Sequence, residues 1–159
     1  MKILVTGHKG YIGSKLYKKL VYLGYDVVGI DLKDNENIVD CLPDENYDFV
    51  FHLAAFPSVE FSVEKPSYTM KNNVLSSSVL LEWCLKNKVK RLIFSSSAAA
   101  ANIVSPYGLQ KRITEMECKL FSDLYKLDTV CLRYYNVYSE DQQFDGPYST
   151  VINHWINCI

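Results

Sequence analysis

Three serines, a tyrosine and a lysine carry the most readable chemistry in this chain. Ser95, Ser96 and Ser97 end an apolar run, and Tyr107 and Lys111 follow at the start of an amphipathic stretch. At i and i+4 on a helix the two side chains share one face, a single turn apart. An ammonium beside a phenol favours the phenolate, and a nearby charge can lower tyrosine's ordinary pKa near 10 by about 1–3 pH units. A positively charged nicotinamide ring would act in the same sense. Serine hydroxyls at the end of the preceding strand can hydrogen-bond the same substrate oxygen. Together the groups suit removal of a proton from a hydroxyl while hydride leaves its carbon. On these residues alone the alternative stays open. A Tyr and a Lys one turn apart also arise by chance, and a serine run is often only a turn.

The element that would hold a hydride acceptor stands at the N-terminus. Ile3–Val5 reads as a buried strand, Gly7, Gly10 and Gly13 follow three apart, and Ile12, Leu16, Leu20 and Leu23 recur at helical spacing up to Gly24. A strand that enters a helix through glycines brings free backbone N–H groups and a positive helix end to one point, where a diphosphate fits. The spacing is G-x-x-G-x-x-G rather than G-x-G-x-x-G, and three glycines also suit a plain strand-to-helix turn. The next apolar strand, Tyr25–Ile30, ends at Asp31. A carboxylate there suits the adenosine ribose hydroxyls and repels a 2′-phosphate, which favours NAD over NADP. A solvated turn residue is the plain alternative.

Composition narrows the class without choosing the chemistry. A chain of 159 residues allows one domain with a core, expected over 1–159. A net charge of -1 gives no pull toward nucleic acid or anionic lipid. No apolar run is long enough to cross a bilayer, and Met1-Lys2-Ile3 enters a strand directly, so neither a membrane span nor a secretory signal is expected. Cys41, Cys84, Cys118, Cys131 and Cys158 are odd in number and show no C-x-x-C pair, which suits reduced thiols in a cytoplasmic protein. His8, His52 and His154 lie far apart, and no metal site is expected.

The remaining elements alternate. Asn37–Asp40 reads as a short strand-like piece, with no room before it for a normal crossover helix. Tyr47–Leu53 is a strand running into Ala54-Ala55, with His52 read as a packed core residue. Ser58–Lys71 reads as an irregular loop at the ligand edge. A helix apolar nearly all round is expected over 73–87, and another from Tyr107 to about Tyr125 with Leu109, Ile113, Met116, Leu120 and Leu124 on one face. Arg91–Phe94 and Thr129–Leu132 are strands. Gly146-Pro147-Tyr148 breaks the chain, and Val151–Ile159 begins a helix. The order argues for an α/β fold with a doubly wound parallel sheet and helices on both faces.

The set of motifs in order resembles the extended short-chain dehydrogenase/reductase family, the NAD-dependent nucleotide-sugar epimerases and dehydratases. It comprises T-G-x-x-G-x-x-G at Thr6–Gly13, Asp31, Asp40, H-L-A-A at His52–Ala55, Asn73, F-S-S-S at Phe94–Ser97, S-P-Y-G-x-x-K at Ser105–Lys111 and L-R-Y-Y-N-V-Y at Leu132–Tyr138. The resemblance implies a Rossmann-like domain. It implies that Gly7, Gly10, Tyr11, Ile12 and Gly13 line the NAD diphosphate, that Asp31 takes the adenosine ribose and that Asp40 faces the adenine. Leu53, Ala54, Ala55 and Asn73 would flank the cofactor, Lys111 would bind the nicotinamide ribose, and the Tyr134 backbone would approach the nicotinamide amide. Tyr107 would be the base, Ser97 its partner at the substrate, with Ser96 as the fallback in the triplet, and Asn136 would meet the substrate diphosphate. A homodimer through helices 73–87 and 107–125 is implied as well.

Within that family, dehydratases place an Asp-Glu pair directly after the catalytic hydroxyl residue. Ala98-Ala99 stand there in this chain, which argues against 4,6-dehydration and for epimerisation or plain alcohol oxidation. The segment from Asp31 to Asp40 and that from Ser97 to Tyr107 are compressed against the family pattern. The substrate domain is expected to be largely absent, with residues 146–159 a remnant of its entry. The expected activity is therefore hydride transfer between a sugar hydroxyl carbon and NAD. A non-catalytic NAD-binding module, or a subunit whose pocket a partner chain completes, is the alternative.

Overall fold

Five short apolar runs assemble into one parallel sheet. In the computed structural model, which describes residues 1–139 and Trp155, the strands are β1 (Lys2–Thr6), β2 (Asp26–Ile30), β3 (Phe49–His52), β4 (Arg91–Ser97) and β5 (Thr129–Tyr134). Their order across the sheet is β2-β1-β3-β4-β5, and every neighbouring pair is parallel. The chain reverses direction of winding between β1 and β3, so loops after these two strands diverge and leave a crevice at their carboxyl ends.

The two-residue period of the strands divides the core. Ile3 and Val5 of β1 meet Leu20 of helix α1 (Tyr11–Tyr22), with Phe49 and Phe51 of β3 beside them. Leu4, Val50, Leu92 and Phe94 face the other side, where α2 (Ile38–Cys41), α5 (Ser76–Lys86) and α6 (Pro106–Tyr125) cover them with Ile38, Leu80, Leu81, Cys84 and Cys118. Each large side chain so buried contributes roughly 1.5–3 kcal/mol. The sheet is thus wound on both faces, as its sequence pattern indicates. Among the described residues no helix is long and apolar enough to cross a membrane.

Three expectations change, and a fourth element turns its apolar face outward. Residues 37–40 are not strand-like. Asn37 accepts a hydrogen bond from the Val39 N–H through its side chain (3.1 Å) and opens α2, whose Ile38 enters the core. The edge strand that the segment might have made is replaced by one helical turn, which leaves β2 at the sheet edge.

The stretch 58–71 is helical rather than irregular. Ser58 caps α3 (Val59–Glu64) by accepting from Phe61 N at 3.1 Å, and Pro66 opens α4 (Pro66–Met70) at a position where its missing N–H costs nothing. The rings of Phe56, Phe61 and Tyr68 pack together at 5.3–6.0 Å and join the two helices.

The helix expected over 73–87 starts with a π turn, Lys71–Leu75, before α5 proper, and it is not apolar all round: Ser76 and Ser77 are buried while Leu75 and Leu85 are exposed. Most informative is α6. Its expected apolar face exists but points outward, with Leu109 40%, Met116 62%, Leu120 52% and Leu124 61% exposed. The face that packs inward carries Tyr107, Gln110, Lys111, Thr114 and Cys118. The expected break at Gly146-Pro147-Tyr148, the helix from Val151 and the domain entry at 146–159 lie outside the described residues, Trp155 apart.

Candidate functional site

The first wall of the crevice is backbone against backbone. Gly7 leaves β1 with φ +74°, and a Cβ there would lie 2.6 Å from Ala54 N. A Cβ on Gly13 would lie 2.0 Å from the Gly7 carbonyl oxygen, so α1 can pack on the turn only if residue 13 has none. Gly10 donates its N–H to the Gly7 carbonyl (3.0 Å) and stands before α1 without a side chain to cap it. The uncapped start of α1, with Tyr11, Ile12 and Gly13, lines the crevice.

Asp31 closes this wall. It ends the extended chain after β2, accepts from Lys9 N at 2.8 Å on one carboxylate oxygen and from Lys33 N at 2.9 Å on the other. Lys33 Nζ returns to the Lys9 carbonyl at 2.9 Å. The carboxylate thereby ties the glycine turn to the turn after β2, and it lines the crevice. Sequence reasoning had no signal for these backbone bonds. Asp40 is exposed on α2 and is not among the residues that line the crevice.

At the end of β3, His52 is fully buried. Its Nδ1 lies 2.7 Å from Thr6 Oγ1 and its Nε2 2.8 Å from Ser77 Oγ. Burial, with the Lys111 charge in second place, pushes its pKa down to about 3, in keeping with the core role read from sequence. Leu53, Ala54 and Ala55 form a shelf of small residues beside the crevice. Asn73, in the π turn, is buried behind that shelf. Its Oδ1 accepts from Phe56 N (2.8 Å), and its Nδ2 donates to Phe56 O (3.1 Å) and to Gln110 Oε1 (2.7 Å). Gln110 in turn donates to Thr69 Oγ1 at 2.9 Å. Asn73 clamps the backbone of the shelf and does not line the crevice. The π turn that aims it inward is a local irregularity with no clear sequence mark.

The second wall is built from buried polar side chains. Lys111 lies 4.7 Å over the Phe94 ring and donates from Nζ to the Ser95 carbonyl at 2.8 Å. Its ammonium is 5.9 Å from the Tyr107 ring centroid. Burial pushes the lysine down to about 8. The α6 N-terminus is fixed twice, by Ser105 Oγ accepting from Gly108 N and by Ser62 Oγ of α3 accepting from Tyr107 N, each at 3.1 Å. Ser97 Oγ accepts from Ala99 N at 3.2 Å and stands near enough to the Tyr107 phenol to favour its ionised form. Burial, the larger influence, nevertheless holds that phenol above its ordinary value. The expectation that Lys111 lowers the tyrosine is therefore not met by the chain's own groups: the ammonium stands off the ring, and desolvation dominates. Of the serine triplet, Ser96 donates to Glu115 Oε1 (2.6 Å) and Ser97 stands on the side of Tyr107, and both line the crevice.

Between the two walls lies a cavity of about 1040 Å³. It brings together Gly7, Gly10, Tyr11, Ile12, Gly13, Asp31, Leu53, Ala54, Ala55, Ser97, Tyr107, Lys111 and Tyr134 from the sequence-derived set. Asn136 is exposed and, like Asp40 and Asn73, is outside the lining. Phe56, Pro57, Tyr135 and Val137 also line the cavity and were not anticipated. The segment after β5 crosses toward α1, where Tyr11 Oη meets Ser139 Oγ at 2.5 Å. The volume is at the upper end of small-molecule sites. The features fit a dinucleotide laid across the switch point: a turn where any Cβ would collide, an uncapped helix start, a carboxylate at the second strand and a Tyr–Lys pair at the far side.

Fold and crevice define a parallel α/β dinucleotide-binding domain. The chain belongs to the NAD dependent epimerase/dehydratase family, which it matches over residues 3–159. NAD is the cofactor of that family, and the residues around the crevice fit it. Among similar proteins, a putative UDP-glucose 4-epimerase of Methanocaldococcus jannaschii is 36% identical, over 91% of this chain and 58% of its own. A UDP-N-acetylglucosamine 4-epimerase from Methanobrevibacter ruminantium, solved with UDP-N-acetylmuramic acid, superposes with a TM-score of 0.85 at 33% identity, over 98% of this chain and 61% of its own. The UDP-glucose 4-epimerase of Thermotoga maritima, solved with UDP-glucose, gives 0.83 at 34% identity over 98% and 62%. The chain thus spans about three fifths of the length of these relatives.

Proposed function

We propose that the chain binds NAD in this crevice and acts as a nucleotide-sugar 4-epimerase-like oxidoreductase. In this reading Tyr107 takes the proton of a sugar hydroxyl, Ser97 holds the same oxygen, and Lys111 holds the nicotinamide ribose and lends its positive charge. When bound, NAD accepts the hydride and adds a second positive charge beside the phenol. That charge is what Tyr107 needs, since burial alone keeps its proton on. The observation that carries the reading is the convergence of Ser97 from β4 with Tyr107 and Lys111 from α6 on the cavity that the glycine turn also lines. Ala98 and Ala99 supply no carboxylate, so the substrate would be epimerised or oxidised rather than dehydrated. Asn136, Asp40 and Asn73 lie outside the lining.

A second reading is favoured by one observation: the chain spans only about three fifths of its relatives. In it, the chain is an NAD-binding module without turnover, or a subunit whose nucleotide-sugar pocket is completed by another chain. Incubation with NAD and UDP-glucose, UDP-galactose, their N-acetyl forms or GDP-mannose separates the two. The first reading expects epimers, lost about 10²–10⁴-fold in Tyr107→Phe while NAD affinity stays within about twofold. Tight NAD binding with no product from any of them selects the second.

The outward apolar stripe of α6, together with the exposed Leu75 of the π turn and Leu85 of α5, supports a homodimer through the two helices. Sedimentation of the unchanged chain and of Leu120→Asp tests it, with a dimer expected only for the former. Among the described residues Cys41, Cys84, Cys118 and Cys131 are in no disulfide, which supports a cytoplasmic setting.

A further inference from the structure

The three serines at the end of β4 each engage a different residue of α6. The Ser95 carbonyl accepts from Lys111 Nζ at 2.8 Å, the Ser96 hydroxyl donates to Glu115 Oε1 at 2.6 Å, and the Ser97 hydroxyl stands beside the Tyr107 phenol. Residues 107, 111 and 115 follow one another by one helical turn. Three consecutive strand residues thus face three consecutive turns of one helix, and two of them are hydrogen-bonded to it. Only the first two of those helix residues reach the crevice.

The third, Glu115, sits one turn away from it with its side chain 9% exposed. Arg133 of β5 donates to both of its oxygens, Nε to Oε1 and Nη2 to Oε2, each at 2.7 Å, and Arg112 adds a contact at 3.1 Å. In the parallel register of β4 and β5, Ser96 faces Arg133 and Ser97 faces Tyr134. The carboxylate therefore joins α6, β4 and β5 at Ser96, which lines the crevice, and at Arg133, next to Tyr134, which lines it too. The Arg133 pairing, ahead of the Ser96 and Arg112 bonds, holds it down to about 2, so it is charged throughout the neutral range. An isolated surface ion pair contributes little. Here the geometry is bidentate, the carboxylate is sheltered, and loss of it would leave the Ser96 hydroxyl and the Arg133 guanidinium without their partner.

We propose that Glu115 is a positioning residue: through Ser96 and Arg133 it sets α6 against the ends of β4 and β5 and so holds Ser97, Lys111 and Tyr134 at the cofactor. The inference rests on the reading of the crevice as an NAD site. Glu115 did not stand out in the sequence, although the spacing Tyr107, Lys111, Glu115 marks one helix face, and Arg133 entered only as a member of the motif at Leu132–Tyr138.

NAD binding by calorimetry, with melting temperature by circular dichroism, tests this without any requirement for turnover. Glu115→Ala should weaken NAD about tenfold at a temperature where the variant is folded. Glu115→Gln, whose amide oxygen can still accept from Ser96, should recover affinity to within about threefold of the unchanged chain. Ser96→Ala should weaken NAD about threefold alone and add almost nothing to Glu115→Ala. Val89→Ala, buried just before β4 and far from the crevice, should lower the melting temperature and leave affinity unchanged. The inference is overturned if Glu115→Ala lowers the melting temperature but binds NAD as tightly as the unchanged chain. Should Glu115→Ala fail to fold, Ser96→Ala decides, and unaltered affinity there overturns it. If the unchanged chain itself binds no NAD, the cofactor reading fails first and this inference falls with it.

Discussion

The two walls of the crevice are made in opposite ways. The β1–α1 wall is defined by what is missing: at Gly7 and Gly13 a single carbon atom would meet backbone. The β4–α6 wall is defined by what is present, a lysine, a glutamine, a carboxylate and two serines, mostly buried and each hydrogen-bonded. The first wall tolerates no addition and the second no subtraction. A protein that must hold a dinucleotide at one end and move a proton at the other needs both, since phosphate is bound by bare backbone and a proton is moved by side chains.

The contrast can be broken most forcefully on the first wall. Gly13→Ala places its Cβ against the Gly7 carbonyl and should cost about 3 kcal/mol in denaturant unfolding. NAD binding should be lost with it. A stable variant that still binds NAD would show that α1 can slide, and the wall would not be backbone-limited.

On the second wall the largest effect should come from charge. Burial lowers Lys111 from its ordinary 10.5 to about 8. Below pH 8 both the folded and unfolded chain carry the proton, and the burial cost is fully present. Between about 8 and 10.5 the unfolded chain binds the proton and the folded chain does not, so stability rises with pH in that window. Lys111→Met should remove that rise, roughly 3 kcal/mol across the window, seen as a flatter pH profile than that of the unchanged chain. An unaltered pH profile would mean that water reaches the ammonium.

The smallest effects compare two carboxylates. Asp31→Ala frees the Lys9 and Lys33 N–H groups. It should cost about 1 kcal/mol, weaken NAD about tenfold and relax rejection of NADP. Asp40→Ala, exposed and outside the lining, should change NAD affinity by less than ~0.5 kcal/mol. An equal loss at both positions would extend the adenosine end of the site onto α2.

Sequence made the first wall readable and much of the second obscure, for a physical reason. Glycine spacing and a strand-end aspartate act through neighbours close in the chain, so Gly7, Gly10, Gly13 and Asp31 could be placed from the sequence. The Tyr107–Lys111 pair was readable for the same reason. Which serine of three faces the tyrosine depends on strand pleat and helix rotation together, and local pattern could not choose between Ser96 and Ser97. The apolar periodicity of α6 was readable, but not the direction in which it points. Here the inward face is needed for Tyr107, Gln110 and Lys111, and Leu109, Met116, Leu120 and Leu124 are left outside. Residues 58–71 read as irregular because the caps, Ser58 and Pro66, were seen as loop formers rather than as helix starts.

The hydrogen bonds that pass through His52 run in one direction only. Ser77 gives its proton to the Asn73 carbonyl (2.6 Å), so it can only accept from the imidazole, and the ring proton must sit on Nε2. Nδ1 is then an acceptor for the Thr6 hydroxyl, whose oxygen in turn takes the Ala54 N–H at 3.4 Å. One tautomer is selected, and the protonated ring has no place: a second N–H would reverse Thr6 and strand its proton. The unfolded chain takes up that proton from about pH 6.5 downward, while the folded chain resists to about 3. The centre of the sheet, beneath the small-residue shelf, thus acts as an acid fuse, and it begins to fail above the pH at which ordinary carboxylates start to protonate.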